Sequence, residues 1–154
     1  MEKIEALLAR IQGRRVYIDT NIFVYFLERH EQYFDLVLPF FHLFDQGLSM
    51  AYTGDAAVAE TLYKPYQADD LLLVNEFKTF FGDDEFITVL PHTTKIFELT
   101  AEIAPKQKMK MIDALHYSTA IMAGCQFLLT NDAGFKSNAK LEVIQLRELV
   151  QNNQ

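Results

Sequence analysis

Apolar and polar positions recur along the chain with two periods, and the switches between them mark out its elements. Ile4, Leu7, Leu8 and Ile11 fall at helical spacing and predict an amphipathic helix over 4–11 that Gly13 stops. The run Val16-Tyr17-Ile18 predicts a strand over 15–19, followed by helices from Thr20 to Arg29 and from Tyr33 to Asp45. The second of these carries Phe34, Val37, Leu38, Phe41 and Phe44 on one broad stripe, with Pro39 expected to bend it and Gly47 to end it. Leu48 to Tyr52 read as a second strand. Gly54-Asp55 then opens a helix through Ala56, Val58 and Leu62, which Pro65 should break or kink before Tyr66.

A long apolar-faced helix is predicted from Ala68 to Phe81, and Gly82-Asp83-Asp84 turns the chain into a strand from Phe86 to Leu90. Residues 93–104 suit a helix with Ile96, Leu99 and Ile103 inward and Pro105 at its weak end; Met111 to Ala123 form the next. Residues 126–130 and 141–146 are the fourth and fifth strands, with a loop or short helix over 132–138 between them. Short strands separated by helices predict an α/β fold, a parallel sheet of about five strands covered on both faces.

At 154 residues the chain suits a single domain, 1–154, in which residues 1–13 add a helix ahead of the first strand. Half of the residues are hydrophobic, 13 are Phe and none is Trp, which supplies a packed interior. No apolar run approaches a membrane span, and the start, Met1-Glu2-Lys3-Ile4-Glu5, lacks the order of a signal peptide; a cytoplasmic protein is expected. The one cysteine, Cys125, excludes an internal disulfide and reads as a small core residue beside Gly124. The formal charge of -7 argues against a general electrostatic grip on nucleic acid. It leaves room for a nucleic-acid enzyme, because carboxylates gathered around a cation contribute to that charge and the cation reverses its sign locally.

Four acids stand where such a gathering would draw on them: Asp19, Glu60, Asp113 and Asp132. Asp19 closes Val16-Tyr17-Ile18, and Asp132 follows Phe127-Leu128-Leu129 through Thr130 and Asn131, so both sit at the exit ends of buried strands. That edge of a parallel sheet is where ligands bind, above all where the strand order reverses. Glu60 and Asp113 lie in helical stretches and would reach the crevice from the side. Separations of 41, 53 and 19 residues mean that each comes from a different element. An oxygen-only donor set without cysteine suits magnesium or manganese, and such ions promote phosphodiester hydrolysis.

The wording around each acid is Tyr17-Ile18-Asp19-Thr20-Asn21, Ala57-Val58-Ala59-Glu60, Ile112-Asp113-Ala114-Leu115-His116, and Leu129-Thr130-Asn131-Asp132-Ala133-Gly134-Phe135. In this order the chain resembles the PIN-domain family, particularly VapC-like toxins of type II toxin-antitoxin pairs, over about residues 15–146. The resemblance implies a three-layer α/β/α fold and a Mg2+- or Mn2+-dependent endoribonuclease that leaves a 5′-phosphate and a 3′-hydroxyl. It assigns Asp19, Glu60, Asp113 and Asp132 to the acidic quartet, with Asn21 and Thr130 as polar supports. An antitoxin partner and a homodimer are further implications. The chain departs from the compact toxins in its opening helix, and carries Thr53-Gly54-Asp55 where the family often has a Ser at the start of the helix.

Around the quartet, Lys106, Lys108 and Lys110 precede Asp113 and either guide an RNA backbone or form a solvated face. His116, three residues after Asp113, is expected to make a structural hydrogen bond rather than move a proton. Asp55 is expected to cap its helix rather than serve as a fifth ligand. Asp69-Asp70 and Asp83-Asp84 suit a helix start and a turn. The Phe-rich stripes over 34–44 and 71–81 suit core packing, or a surface for a second copy or an antitoxin. Two other readings stay open. A magnesium-dependent phosphatase would place an acid where Asn21 stands, and a catalytically inactive binding or scaffold protein, or a solitary nuclease of RNA processing, would share the fold.

Overall fold

The structure, a computed structural model, describes residues 2–150; Met1 and 151–154 of the expected domain lie outside the described residues. The chain runs β1 (Glu2–Lys3), α1 (Ile4–Ile11), β2 (Arg15–Ile18), α2 (Thr20–Leu27), α3 (Phe34–Asp45), β3 (Met50–Gly54) and α4 (Asp55–Gln67). It continues through α5 (Leu71–Phe81), β4 (Thr88–Leu90), α6 (Thr94–Gln107), α7 (Met111–Met122), β5 (Phe127–Thr130), β6 (Glu142–Gln145) and β7 (Leu149–Val150). The main sheet has the order β4-β3-β2-β5-β6, with every pair parallel. From central β2 the chain builds outward through β3 and β4, then crosses to the other side of β2 for β5 and β6. The order therefore reverses between β2 and β5, and the crevice beyond their C-terminal ends is the topological switch point.

Alternation along the strands divides the interior into two layers. Val16, Ile18, Ala51, Phe127, Leu129 and Ile144 face a core shared with α1, α2, α3 and α5; Tyr17, Leu128, Tyr52 and Val143 face the layer of α6 and α7. This is the expected α/β/α arrangement. The Phe-rich stripes converge in the first layer, where Phe26 stacks on Phe41 at 4.0 Å and Phe41 on Phe86 at 5.9 Å. Each large side chain buried there contributes about 1.5–3 kcal/mol. Core packing accounts for most of those stripes, although Leu71 and Leu72 on α5 stay exposed. Cys125 is buried as expected, and burial pushes its thiol up to about 12. No helix among the described residues is long and apolar enough to cross a membrane.

Several boundaries differ from the expected ones for local reasons. β3 begins two residues late because Gly13 N donates to the Leu48 carbonyl and the Ser49 hydroxyl donates to the carbonyls of Ile11 and Arg14. The ladder then opens with Met50 opposite Arg15. Pro65 and Pro105 do not end their helices: α4 continues to Gln67 and α6 to Gln107. Each proline forgoes its own amide bond to the preceding turn, and the helix runs on for two residues beyond it. Gly54, not Asp55, occupies the cap position of α4, and the Ala56 amide donates to His92 Nε2 instead. Asp70 does cap α5, accepting the Leu73 amide. β1 and β7 form an additional parallel pair, tied near its start by Arg10, whose guanidinium reaches Glu2 at 2.9 Å and Glu142 at 2.7 Å.

Candidate acidic active site

Asp19 leaves β2 with its backbone still in the ladder, its amide donating to the Leu129 carbonyl at 3.0 Å. Its Oδ1 caps α2 by accepting the Thr20 amide at 2.8 Å, and its Oδ2 accepts the Thr130 hydroxyl at 2.6 Å. Thr130, the last residue of β5 and fully buried, also accepts the Asp132 amide at 3.0 Å. Asp132 folds back so that Oδ1 accepts the Gly134 amide at 2.8 Å. From outside, Gln145 Nε2 donates to the Asp132 carbonyl, and the Arg147 guanidinium donates to the Asn131 carbonyl and Oδ1.

Asp113 enters from the first turn of α7. A Cβ built on Gly134 would stand 3.2 Å from Asp132 Oδ1 and 3.5 Å from Asp113 Oδ2, so these two carboxylates border the same small space. Glu60 reaches in from α4, with Oε1 accepting the Thr20 hydroxyl at 3.0 Å and lying 2.5 Å from His116 Nε2. Asp19, Asn21, Glu60, Asp113 and Asp132 line one cleft of about 400 Å³ at the switch point. Thr130 lies buried beneath it. The three expected lysines stand outside the lining: Lys106 pairs with Glu102 at 3.0 Å, Lys108 ends α6 in a left-handed conformation, and Lys110 precedes α7. Asp55 is exposed and absent from the cleft.

The electrostatics follow from this crowding. Burial pushes the Asp113 carboxyl up to about 6, reinforced by the negative charges of Asp132 and Asp19. Burial also raises Asp19, against the opposing pull of the Thr130 hydroxyl, the His116 ring and the Thr20 amide. At Glu60 burial acts upward, yet the His116 and Thr20 hydrogen bonds and the His116 charge outweigh it and hold the carboxyl below its ordinary value. Asp19, Asp113 and Asp132 thus concentrate negative charge at the cleft, partly offset at Asp113 by the charges of Lys110 and His116.

That donor set fits a hard divalent cation. Its acidic groups offer only oxygens, and Asn21 Oδ1 is buried without a hydrogen-bond partner. No three His, Cys, Asp or Glu side chains among the described residues are grouped to hold an ion unaided. Magnesium keeps several of its waters and takes only one or two carboxylates directly.

Two charged cleft residues escape the sequence reading, Lys64 and Glu28. Lys64 follows Glu60 by four, a spacing that puts both on one helical face and was the available signal. Glu28 lies just past the end of α2, where no local pattern distinguishes it from a solvated acid. His116 makes the expected structural hydrogen bond, and its partners are Glu60 and Tyr17.

Comparison with known proteins accords with this geometry. The family model described as PIN domain matches residues 16–141. Among solved structures, the chain is similar to VapBC2 from Rickettsia felis bound to a promoter DNA fragment, with TM-score 0.68, 18% identity, and 85% of this chain and 98% of that one covered. It is also similar to VapC20 from Mycobacterium tuberculosis, a sarcin-ricin loop cleaving toxin, with TM-score 0.60, 12% identity and coverage of 73% and 86%. A toxin-antitoxin complex from Klebsiella pneumoniae gives TM-score 0.62, 14% identity and coverage of 85% and 97%. No curated protein sequence matches. With the family model spanning the strands β3, β4 and β5, all of β2 but Arg15, the switch point and every lining residue of the acidic cleft, the chain belongs to the PIN domain family.

Proposed function

We infer that this protein is a divalent-metal-dependent endoribonuclease and the toxin of a type II toxin-antitoxin pair. The observation that carries the reading is the convergence of Asp19, Glu60, Asp113 and Asp132 from four elements on one cleft at the switch point, with Asp113 pushed up to about 6 by burial and like charge. Asp19, Glu60, Asp113 and Asp132 would hold Mg2+ or Mn2+. When bound, the ion supplies activation of water and neutralisation of charge on the phosphoryl and leaving oxygens.

The chain's own groups do the positioning. The Thr130 hydroxyl and the Thr20 amide fix both oxygens of Asp19. Asn21 lines the cleft next to Asp19, with its Oδ1 buried and without a protein partner. Lys64 within the cleft and Lys110 beside Asp113 give the RNA backbone its positive contacts despite the net charge of -7. Lys106 and Lys108 extend that contact outward.

The partner assignment rests on a second surface. Phe26, Phe34, Leu38, Leu72 and Phe80 line an open apolar groove between α2, α3 and α5, suited to an apolar segment of an antitoxin. Several structural relatives are toxin-antitoxin complexes. A homodimer completes the proposed assembly. Purified protein given RNA with Mg2+ or Mn2+ is expected to cleave it, and Asp19→Asn and Asp113→Asn are expected to abolish cleavage. Persistent cleavage in both variants overturns the reading.

A further inference from the structure

Behind Glu60, buried polar groups lead away from the cleft into the layer between the sheet and α7. His116 Nε2 lies 2.5 Å from Glu60 Oε1, and His116 Nδ1 lies 2.7 Å from the Tyr17 hydroxyl. Tyr17 is 0% and His116 1% exposed, whereas the Glu60 side chain is 35% exposed at the cleft. Tyr17 comes from the middle of β2 and His116 from the second turn of α7, so the contact joins the sheet to the helix that covers it.

The hydrogens are ordered by chemistry. A carboxylate only accepts, so Nε2 carries a hydrogen in either protonation state of the ring. In the neutral ring Nδ1 then accepts from the Tyr17 hydroxyl. The Thr20 hydroxyl donates to the same Glu60 oxygen at 3.0 Å. Donors from two other elements therefore converge on Oε1 of a side chain that lines the cleft. A glutamate free to sample its rotamers would lose conformational entropy on taking up a ligand; one already held loses less.

The surroundings give the ring little freedom. His92 Nδ1 lies 2.8 Å from the Thr119 hydroxyl, its Nε2 accepts the Ala56 amide, and its ring meets His116 edge-on with centroids 5.9 Å apart. A Cβ on Gly54 would stand 2.2 Å from His92 Cε1 and 2.8 Å from the Tyr17 hydroxyl. The space behind Glu60 is filled from every side.

The structure assigns Tyr17 and His116 as positioning residues that hold Glu60 in the rotamer offering its carboxylate to a divalent cation, without touching substrate themselves. This rests on the reading of the cleft as a divalent-cation site. A merely structural network would affect stability alone, and its removal would act equally whether or not Glu60 is present.

The test is the Mn2+ affinity of the purified protein without RNA, measured by isothermal titration in a double-mutant cycle of Tyr17→Phe and Glu60→Ala. Tyr17→Phe removes one hydroxyl and is expected to weaken Mn2+ binding about 10-fold, the lower end of the usual effect of groups that orient metal ligands. It is also expected to lower kcat on RNA while leaving KM unchanged. In the Glu60→Ala background it should change nothing further. His116→Gln, whose amide nitrogen replaces Nε2, should regain affinity that His116→Ala loses, and this pair carries the test should Tyr17→Phe not fold. An equal loss in both Glu60 backgrounds, or no loss with Glu60 present, overturns the positioning role. Absence of Mn2+ binding by the unsubstituted protein, or binding undiminished in Asp113→Asn, overturns the cation-site reading instead.

Discussion

The Thr130 hydroxyl donates to Asp19 Oδ2 at 2.6 Å and at the same time accepts the Asp132 amide at 3.0 Å, so one buried side chain links the acids that follow two neighbouring strands. Thr130→Val keeps the shape and removes both bonds. It leaves the Asp132 amide and one Asp19 oxygen unsatisfied, at a cost of about 1–3 kcal/mol. Thr130→Ser restores the hydroxyl. Urea unfolding is expected to show the loss in the valine variant and its recovery in the serine variant. Cleavage should follow the same order, since the Asp132 turn loses its inner anchor.

Asp113 predicts a dependence on pH. Its folded carboxyl titrates at about 6 against an ordinary 3.8, so the folded protein binds this proton more tightly than the unfolded chain does. Between about pH 4 and pH 6 the folded state holds more protons, and stability falls as pH rises through that window. Asp113→Asn removes this contribution. Melting curves from pH 4 to 7 should show the original protein losing stability relative to the variant, by a modest amount because solvent partly screens the group. Mn2+ affinity should climb as the pH passes 6 and Asp113 ionises. Parallel melting profiles for the two proteins would contradict the crowding that raises this carboxyl.

Asp19 and Asp132 are legible in the sequence because a buried strand announces itself as an apolar run, and the first polar residues beyond it stand at the binding edge. Asp113 and Glu60 are less so. They lie on helices, and whether such a residue faces the crevice depends on how the helix packs against the sheet, a non-local matter that the surrounding words only suggest. The five-strand frame follows from alternation, but β1 and β7, two residues each, carry no period of their own. Their pairing is long-range, Glu2 with Leu149 and Lys3 with Val150. Pro65 and Pro105 mislead for the opposite reason, since a strong local breaker near a helix end does not stop it there: α4 and α6 each run two residues further. Tyr17 reads simply as a core aromatic, and its polar tip becomes informative only once His116 is seen beside it.

Gly134 tests how tightly the acids are spaced. Its amide donates to Asp132 Oδ1, while an added Cβ would lie 3.2 Å from that same oxygen and 3.5 Å from Asp113 Oδ2. Gly134→Ala must push Asp132 by a few tenths of an ångström, and it introduces an apolar group between two carboxylates. The backbone there is not left-handed, so alanine is compatible with the fold. The melting temperature is expected to change by no more than a few degrees, whereas Mn2+ affinity and cleavage should drop several-fold, as displaced first contacts typically do. A variant with undiminished affinity would show that the two acids need not share that space.

Gly54 offers the sharpest test of the wall behind Glu60. A Cβ there would approach His92 Cε1 to 2.2 Å and Nε2 to 2.7 Å, distances that no side chain tolerates without moving. His92 cannot move freely, because it accepts the Ala56 amide at the start of α4 and meets Thr119 on α7. Gly54→Ala is therefore expected to destabilise the fold by about 1–3 kcal/mol, as overpacking does. His92→Ala alone loses the cap on α4, a change of about 1 kcal/mol. If the glycine is needed only to make room for the imidazole, the double variant should be no less stable than His92→Ala, because the added methyl then fills space the ring has left. Urea unfolding of the four proteins measures the coupling directly. Additive losses would mean that Gly54 is required by its own backbone, or by the Tyr17 hydroxyl 2.8 Å away, and not by His92.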